Sequence, residues 1–234
     1  MKVLILTTDT NHHNFFIYKL LVHYPDISVI IESDIVKPKY PTFHNFETIR
    51  DDFENNLWKE IIENPLKKMC SSYLITSNIN NLDIINNIKC SNFDVCLVFG
   101  TRKINNNLIA ALPKNSFNLH GGNPQLYRGL DSHLWSIWHR DLNGLKVCLH
   151  RLDHKLDQGE IFHLEDLNIK SIEHLYQLRS INTQKCVDIS LLLLNNLNKK
   201  LNFICTPQKS IGRYYSFMPD VLKDQCISRF KELN

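Results

Sequence analysis

A single short stretch, residues 118–133, concentrates side chains that could do chemistry. Asn118 and His120 lie two apart at the end of a predicted strand, so their side chains emerge on the same face. Asp157 follows between two later strands, just before Gly159. Together they could support acyl transfer: the amide stabilises developing negative charge, the imidazole transfers protons and the carboxylate orients it. The spacing equally fits capping and turn residues, so both interpretations stay open.

The composition is that of an ordinary globular protein. Of 234 residues, 43% are hydrophobic and 22% are charged, and the net charge is +3. The basic residues form no run of the kind that binds nucleic acid, so we expect no nucleic-acid partner. The apolar runs are shorter than the roughly 20 residues that span a bilayer, and the N-terminal run is too short for a signal peptide. We therefore expect a cytoplasmic protein without a membrane partner.

Cysteine usage indicates reduced thiols. The seven cysteines are odd in number and form no C-x-x-C pair, so neither a disulfide framework nor a zinc ribbon is indicated. The neighbouring His12 and His13 point in different directions, and no third ligand is placed beside them. We therefore expect no metal.

Alternating strands and helices must position these residues. Continuous apolar runs predict strands buried on both faces, at residues 2–8, 27–33, 71–77, 94–100 and 116–121. Helical spacing separates them, except in residues 34–58, which we interpret as an irregular excursion. This order predicts an α/β fold with a doubly wound, mostly parallel sheet. Such sheets bind ligands beyond the carboxyl ends of their strands, where Asn118 and His120 lie.

The second half of the chain predicts an addition to that sheet. Strands at 145–153 and 160–169 flank the Asp157 segment, and a long amphipathic helix covers 171–200. Residues 200–219 predict two strands around a turn, and a short helix follows. We therefore expect a catalytic domain at 1–170 and an extension at 171–234, made of the long helix, a β-hairpin and the short helix.

The first strand–helix turn, TTDTNHHNFF, bears on the cofactor. It lacks both G-x-G-x-x-G and G-x-x-x-x-G-K-[ST], so an ordinary dinucleotide site or P-loop is not expected. Asn11, His12 and His13 lie at the start of the predicted helix, where backbone N–H groups favour anions. They could hold a phosphate or diphosphate, or be solvated residues that cap the helix.

Three ordered motifs resemble the folate-dependent formyltransferases. Asn118-Leu119-His120 resembles the N-x-H of that family, and Tyr127-Arg128-Gly129 resembles its Y-R-G. Residues 150–159 resemble its H-x-x-D-x-x-x-D-x-G element. The similarity is good over about residues 94–165 and loose over the N-terminal strands. The resemblance implies a Rossmann-like formyltransferase fold.

That resemblance also implies an activity: transfer of a formyl group from N10-formyltetrahydrofolate to an amine, without a metal. It makes Asn118, His120 and Asp157 the catalytic residues. It places the folate in a pocket lined by Phe99, Gly100, Thr101, Arg102, Lys103, Ile104 and Asp153.

The C-terminal tail resembles the extension through which sugar-nucleotide N-formyltransferases commonly dimerise. We therefore expect a homodimer acting on a nucleotide-linked amino sugar for surface polysaccharide such as O-antigen. The first candidate acceptor is dTDP-4-amino-4,6-dideoxyglucose, and a 3-amino isomer is the second. The expected substrate contacts are Asn11, His12, Gly122, Tyr127, Arg128 and Tyr215. Arg128 could instead stabilise its loop, and the tyrosines of the tail could instead pack the hairpin.

Other activities remain as alternatives. Methionyl-tRNA formyltransferases carry a further C-terminal domain, and formyltetrahydrofolate deformylases a further N-terminal one; we expect neither. Enzymes acting on glycinamide ribonucleotide have a glycine-rich phosphate loop, unlike TTDTNHHNFF. A non-catalytic binding module would not need Asn118, His120 and Asp157 together, and a purely structural protein would need none of them.

Overall fold

The computed structural model describes residues 1–34, 36–63 and 66–233, and within them two sheets form. Seven strands make the main sheet in the order β3-β2-β1-β4-β5-β7-β8. Strands β1 to β5 are parallel, whereas β7 and β8 are antiparallel additions. The predicted mostly parallel α/β sheet is thus confirmed. The nine strands are β1 (Val3–Thr7), β2 (Ile27–Glu32), β3 (Ser72–Thr76), β4 (Val95–Phe99), β5 (Ser116–His120), β6 (Tyr127–Gly129), β7 (Lys146–Arg151), β8 (Ile161–Asp166) and β9 (Arg213–Tyr215).

Helices cover both faces of the main sheet. In β1, Val3 and Ile5 enter one hydrophobic core, whereas Leu4 and Leu6 enter the other. Because both faces are buried, the central strands are continuous apolar runs rather than alternating ones. The first core is covered by α1 (Asn11–Leu21) and α8 (Leu178–Asn198), and the second by α5 (Leu82–Cys90) and α6 (Asn106–Ala111).

The expectation of an irregular excursion at residues 34–58 was wrong, because a helix, α2 (Asn45–Leu57), forms there. Its first turn is capped by His44, whose Nδ1 accepts from the N–H of Phe46 at 3.1 Å. Glu47 in turn accepts from the N–H of His44 at 3.0 Å. This is a reciprocal capping box with histidine in the place usually taken by Ser, Thr, Asp or Asn, so the sequence signal was easily missed. The remaining helices are α3 (Lys59–Ile62), α4 (Leu66–Met69), α7 (Ser132–Trp138) and α9 (Lys223–Leu233).

The expected C-terminal β-hairpin does not form among the described residues. Instead, β9 pairs in parallel with β6, and Thr206 bridges to Ile161 at the edge of β8. We call residues 206–218 the C-terminal strap. Gly212 lets the strap approach closely, since a Cβ there would lie 2.5 Å from the carbonyl oxygen of Pro124. Because the backbone N–H and C=O groups of β9 pair with β6, they are not available to pair with a neighbouring strand in a hairpin.

Residues 171–234, the expected extension, pack closely against elements of the first 170 residues. Helix α8 shares a hydrophobic core with the main sheet, and the strap pairs with β6. Whether residues 171–234 also mediate dimerisation stays a prediction. Across the residues that the structure describes, no helix combines the length and the apolar character needed to cross a membrane.

Candidate active site

Strand β5 carries Asn118 and His120 at its carboxyl end, and the neighbouring strand supplies a third polar side chain. In the antiparallel register of β5 and β7, His150 lies directly opposite Asn118. The Nδ2 of Asn118 donates to the Nε2 of His150 at 3.3 Å, because the Nδ1 of His150 already donates to the carbonyl of Arg151 at 2.8 Å. The second amide hydrogen of Asn118 is therefore left for a ligand.

Asp157 lies between the two histidines. Its Oδ1 is 3.8 Å from the Nδ1 of His120 and 3.8 Å from the Nε2 of His150. The other nitrogen of His120, Nε2, donates to the carbonyl oxygen of Tyr127 at 2.8 Å. A carbonyl can only accept, so Nε2 carries a hydrogen and Nδ1 is the atom left to take up a proton beside Asp157. The predicted convergence of Asn118, His120 and Asp157 is therefore present in the geometry.

The backbone of Asp157 adopts an unusual conformation that other residues hold in place. Its φ is +55°, a region that few non-glycine residues occupy. The N–H of Gly129 donates to its Oδ2 at 2.9 Å. The side-chain amide of Gln208, in the strap, donates to the carbonyls of Asp157 and Gly159 at 2.9 Å each. Gly129 thus holds the carboxylate and Gln208 holds the backbone, so two distant segments maintain a conformation of the kind that clusters at functional sites.

The carboxyl group of Asp157 is ionised at neutral pH. Burial by itself would raise its pKa. The charge of His120, the neighbouring ring of His150 and the N–H of Gly129 outweigh burial and hold the pKa at about 2. Asp157 therefore offers a permanent negative charge to a proton on His120.

Two cavities meet at His120. The first has a volume of about 270 Å³ and lies between the 100–104 loop and the 152–157 loop. The second has a volume of about 290 Å³ and lies between α1, α2 and α8. Both are lined by Gly100, Leu119, His120, Gly129 and Leu130. We call them the donor cavity and the acceptor cavity, after the roles argued below.

Most of the residues expected at the folate pocket line the donor cavity, namely Gly100, Thr101, Arg102, Lys103, Ile104 and Asp153. Phe99 is the exception: it lines the acceptor cavity. Successive side chains of a strand point to opposite faces, so Val98 and Phe99 cannot both face the donor cavity.

Arg102 is held by a buried carboxylate rather than left free for a ligand. Its Nε and Nη2 donate to the Oε1 of Glu32 at 3.1 and 2.9 Å, and its backbone N–H donates to Oε2 at 2.8 Å. Nη2 also donates to the carbonyl of Ser77 at 2.5 Å. Arg102 thus ties the 100–104 loop to the end of β2.

Of the expected substrate contacts, only some line one of the two cavities. His12 lines the acceptor cavity. Asn11 lines neither cavity among the described residues, because its amide donates to Asn55 at 2.7 Å. Gly122 packs beneath the site, since a Cβ there would lie 2.8 Å from that of Ser132. Arg128 donates to the carbonyls of Gly212 and Leu156, which stabilises its loop.

The two expected tyrosine contacts, Tyr127 and Tyr215, line neither of these two cavities and pack against aromatic neighbours. Tyr127 and Tyr215 stack with ring centroids 5.5 Å apart, and Trp135 stacks on Tyr215 at 5.0 Å. Their hydroxyls bond Asp141 at 3.1 Å and His139 at 3.1 Å respectively. Both polar ends are therefore occupied within the protein.

Several residues at the site were not singled out from the sequence. Arg50, Arg179 and Asn182 line the acceptor cavity, and Gln208 donates to the carbonyl of Asp157. The sequence had offered His13, which lines the same cavity, and His150, which contacts Asn118. Arg179 and Asn182 share a helix face by their spacing of three. The sequence alone does not predict that this face of α8 lies beside the end of β5. Within the described part of the chain, no group of three or more His, Cys, Asp or Glu residues is arranged to hold a metal ion.

The sequence of the chain was compared with those of known proteins. No protein-family model matches the chain. By sequence it is 24% identical over 177 residues to a methionyl-tRNA formyltransferase of Prochlorococcus marinus, which covers 71% of this chain and 53% of the relative. A second Prochlorococcus marinus relative of the same name is covered to the same extent. The chain thus spans about half the length of the curated relatives it matches.

Solved structures match over nearly the whole chain. A 4-N formyltransferase from Francisella tularensis superposes with a TM-score of 0.59 at 16% identity, over 92% of this chain and 76% of that one. The formyltransferase PseJ of Anoxybacillus kamchatkensis, in complex with UDP-4,6-dideoxy-4-formamido-L-AltNAc and tetrahydrofolate, superposes with a TM-score of 0.53 at 17% identity, over 96% and 88%. The predicted resemblance and the Rossmann-like formyltransferase fold are confirmed.

Proposed function

We propose that this chain is an N-formyltransferase that moves a formyl group from N10-formyltetrahydrofolate to the amine of a nucleotide-linked amino sugar. One observation carries the proposal: His120 lies in the wall shared by two cavities, with Asn118 and Asp157 beside it. Two ligands bound there would meet at one proton-transfer group. The fold shared with sugar N-formyltransferases supports the same assignment.

The donor cavity suits a flat heterocycle with a polar edge. Ile104, Leu152 and Leu156 give it apolar walls, and Asp153 and the 100–104 backbone supply polar groups. Small-molecule sites typically combine apolar walls with a few placed polar groups. Glu32 keeps the loop in shape through Arg102. These residues would hold the folate ring with its formyl group towards Asn118.

The chemistry follows from the hydrogen-bond directions. The free amide hydrogen of Asn118 stabilises the negative charge that develops on the formyl oxygen as the amine attacks. The attacking amine is unprotonated, and its surplus proton passes to the Nδ1 of His120, because Nε2 is already bonded to Tyr127. Asp157 stabilises the resulting imidazolium, which returns the proton to the departing nitrogen of the donor as the bond between that nitrogen and the formyl carbon breaks. Fixing both reactants in adjoining cavities replaces a chance encounter with a positioned one.

Among acceptors, the first candidate is dTDP-4-amino-4,6-dideoxyglucose, whose product would enter a surface polysaccharide such as O-antigen. A similar fold is known with a UDP-linked 4,6-dideoxy-4-formamido sugar, which supports a 4-amino-4,6-dideoxy sugar. The sequence matches to methionyl-tRNA formyltransferases favour a second candidate, methionyl-tRNA.

The first experiment is mass spectrometry of an acceptor panel incubated with N10-formyltetrahydrofolate. The panel holds amino sugars linked to dTDP, UDP and GDP, together with methionyl-tRNA and glycinamide ribonucleotide. We expect one sugar nucleotide to gain a single formyl group. Replacing His120→Ala should slow this at least about a hundredfold, since general acid–base groups contribute on that order. The exposed His23→Ala serves as the matched control and should be unaffected.

Other outcomes are equally informative. Formylation of methionyl-tRNA or glycinamide ribonucleotide alone would replace the sugar acceptor. Release of formate and tetrahydrofolate without an acceptor would make the protein a deformylase. Ligand binding that survives in both the native protein and His120→Ala, with no turnover in either, would leave a binding module.

A further inference from the structure

We propose that the acceptor cavity takes the uncharged ring of the amino sugar rather than a phosphate group, and that the Nε2 of His13 binds a polar substituent of that ring. The inference rests on the proposed function and adds a specificity-determining residue to it. It differs from the expectation that the start of α1 holds a phosphate or diphosphate. The size, the charge and one unpartnered atom of the cavity each point the same way.

The size of the cavity limits what enters it. Its volume of about 290 Å³ lies at the lower end of the range for small-molecule sites, which starts near 300 Å³. Apolar side chains form much of its wall, among them Phe46, Phe99, Leu134, Leu175 and Leu178. A six-membered deoxy ring fits this space, whereas the nucleotide attached to it must lie outside.

The charges in the wall cancel. Arg179 donates to both carboxylate oxygens of Glu54, at 2.6 and 2.5 Å, and to Asp51 at 2.7 Å. Arg50 is bonded to the same Asp51 at 3.0 Å. Glu54 is fully buried. Two guanidinium groups therefore face two carboxylates, and no positive charge is left over for a phosphate.

Three of the four histidines in the wall, His12, His13 and His133, add no charge. Burial, together with the charge of Arg179, lowers the pKa of His13 to about 3. Burial also lowers the pKa of His12, with contributions from His13, Arg179 and Arg50, and lowers that of His133 to about 4. These three rings are neutral near pH 7, and the fourth histidine is His120, the proton-transfer group of the proposed reaction. Beyond His120, the wall therefore presents dipoles rather than cations.

One polar atom in the wall lacks a partner. His13 is 4% exposed, and its Nδ1 is bonded to the hydroxyls of Thr8 at 2.8 Å and Thr10 at 2.9 Å. Its Nε2 has no hydrogen-bond partner among the described residues. Gly100, with φ +80°, makes room for the ring: a Cβ there would lie 2.4 Å from its Cε1. A buried nitrogen of this kind is costly unless a ligand satisfies it.

Calorimetry with two probes tests the inference: dTDP alone, and dTDP-4-amino-4,6-dideoxyglucose, each with tetrahydrofolate present. If the panel identifies a UDP sugar, the UDP pair is used instead. His13→Leu should lower the affinity for the sugar nucleotide roughly five- to tenfold, the loss expected for one hydrogen bond. The affinity for dTDP should stay within about twofold. His13→Gln, which keeps a polar end, should recover part of the loss.

Asn182→Asp provides a nearly isosteric variant that does not depend on His13. It places a carboxylate in the wall of the same cavity. If the cavity takes a neutral ring, the affinity for dTDP should stay within about twofold of the native value. If it takes a phosphate, the new carboxylate should lower the affinity for dTDP at least about tenfold. Unchanged melting temperatures and unchanged tetrahydrofolate binding are the controls for folding.

The possible failures can be told apart. Loss of dTDP affinity in Asn182→Asp, or equal losses for both probes in His13→Leu, would place the phosphate in the cavity and overturn this inference alone. Unchanged sugar-nucleotide affinity in His13→Leu would remove the role of His13. If the native protein neither binds nor formylates any sugar nucleotide, the proposed function and this inference fall together.

Discussion

At the scale of single residues, Asp157 depends on its neighbours for its charge. It is 5% exposed, and burial opposes ionisation, but His120, His150 and the N–H of Gly129 compensate. Because its pKa is lower in the folded protein than the usual value near 4, ionised Asp157 stabilises the fold above that value. This stabilisation is lost as the pH falls from about 4 towards 2.

Asp157→Asn should flatten the pH dependence of stability in that window. We expect the free energy of unfolding of the native protein to fall by about 2 kcal/mol more than that of the variant between pH 4 and pH 2. Urea unfolding at a series of pH values measures the difference. The exposed Asp52→Asn is the control and should follow the native curve. Parallel curves for the native protein and Asp157→Asn would show that the neighbours do not favour the charge.

The Arg102–Glu32 pair should respond unequally to loss of either partner. The side chain of Glu32 is fully buried, whereas that of Arg102 is 33% exposed. Arg102→Met leaves a carboxylate without its cation and should cost about 2–3 kcal/mol of unfolding free energy. Glu32→Gln keeps most of the hydrogen bonds and should cost about 1 kcal/mol. Thermal or urea unfolding gives the order; the reverse order would contradict this account.

At the scale of secondary-structure elements, the strap joins two loops of the site. Its strand β9 pairs with β6, which carries Gly129, and its Gln208 binds the Asp157 loop. Gly129 has φ +89°, and a Cβ there would lie 2.2 Å from the carbonyl oxygen of Tyr215. The pairing therefore requires glycine at this position.

Gly129→Ala should thus detach the strap from β6. We expect a loss of roughly 2 kcal/mol or more in unfolding free energy, together with a large fall in turnover as the hydrogen bond to Asp157 shifts. Gly121→Ala is the matched control for stability, because a Cβ there meets only side-chain atoms, the nearest at 3.2 Å, rather than a backbone oxygen. Urea unfolding and formyl-transfer rates measure both. Equal stability of the two variants would contradict a strained contact at Gly129.

The elements that sequence reasoning located are those with a local signal. The strands of the main sheet are apolar runs, and the Asn118–His120 pair lies at the end of one of them. A strand was expected within residues 200–219, but its partner was not, because β9 is short, partly exposed and paired with a distant segment rather than with its neighbour. Arg179, Asn182 and Gln208 become site residues only through tertiary contacts, which their spacing along the chain does not encode.

At the scale of the whole molecule, the proposed function and the two adjoining cavities predict direct transfer between bound substrates. Burial raises the thiol pKa of Cys96 and Cys148, so neither supplies a thiolate near pH 7. We therefore expect neither thiol to carry the formyl group, and both substrates to be bound at once.

Initial rates should accordingly fit a sequential mechanism. Double-reciprocal plots at several donor concentrations should intersect, rather than run parallel as they do when a group is first passed to the enzyme. Intact-mass spectrometry of the protein incubated with donor alone should find no formyl adduct. Denatured protein treated in the same way is the control for non-specific formylation. Parallel lines together with an adduct would exclude direct transfer. The expected homodimer stays a separate prediction, which sedimentation of the full chain tests.

The strap also sets the order in which the site can be completed. Gln208 reaches back 51 residues to Asp157, and Arg213 pairs with Tyr127 from farther still. Contacts between segments so far apart in sequence close late, because the loop between them must lose its freedom first. During synthesis the main sheet can form while the strap is still inside the ribosome. The carboxylate next to His120 reaches its working position only after the strap emerges, so the growing chain would fold well before it could react.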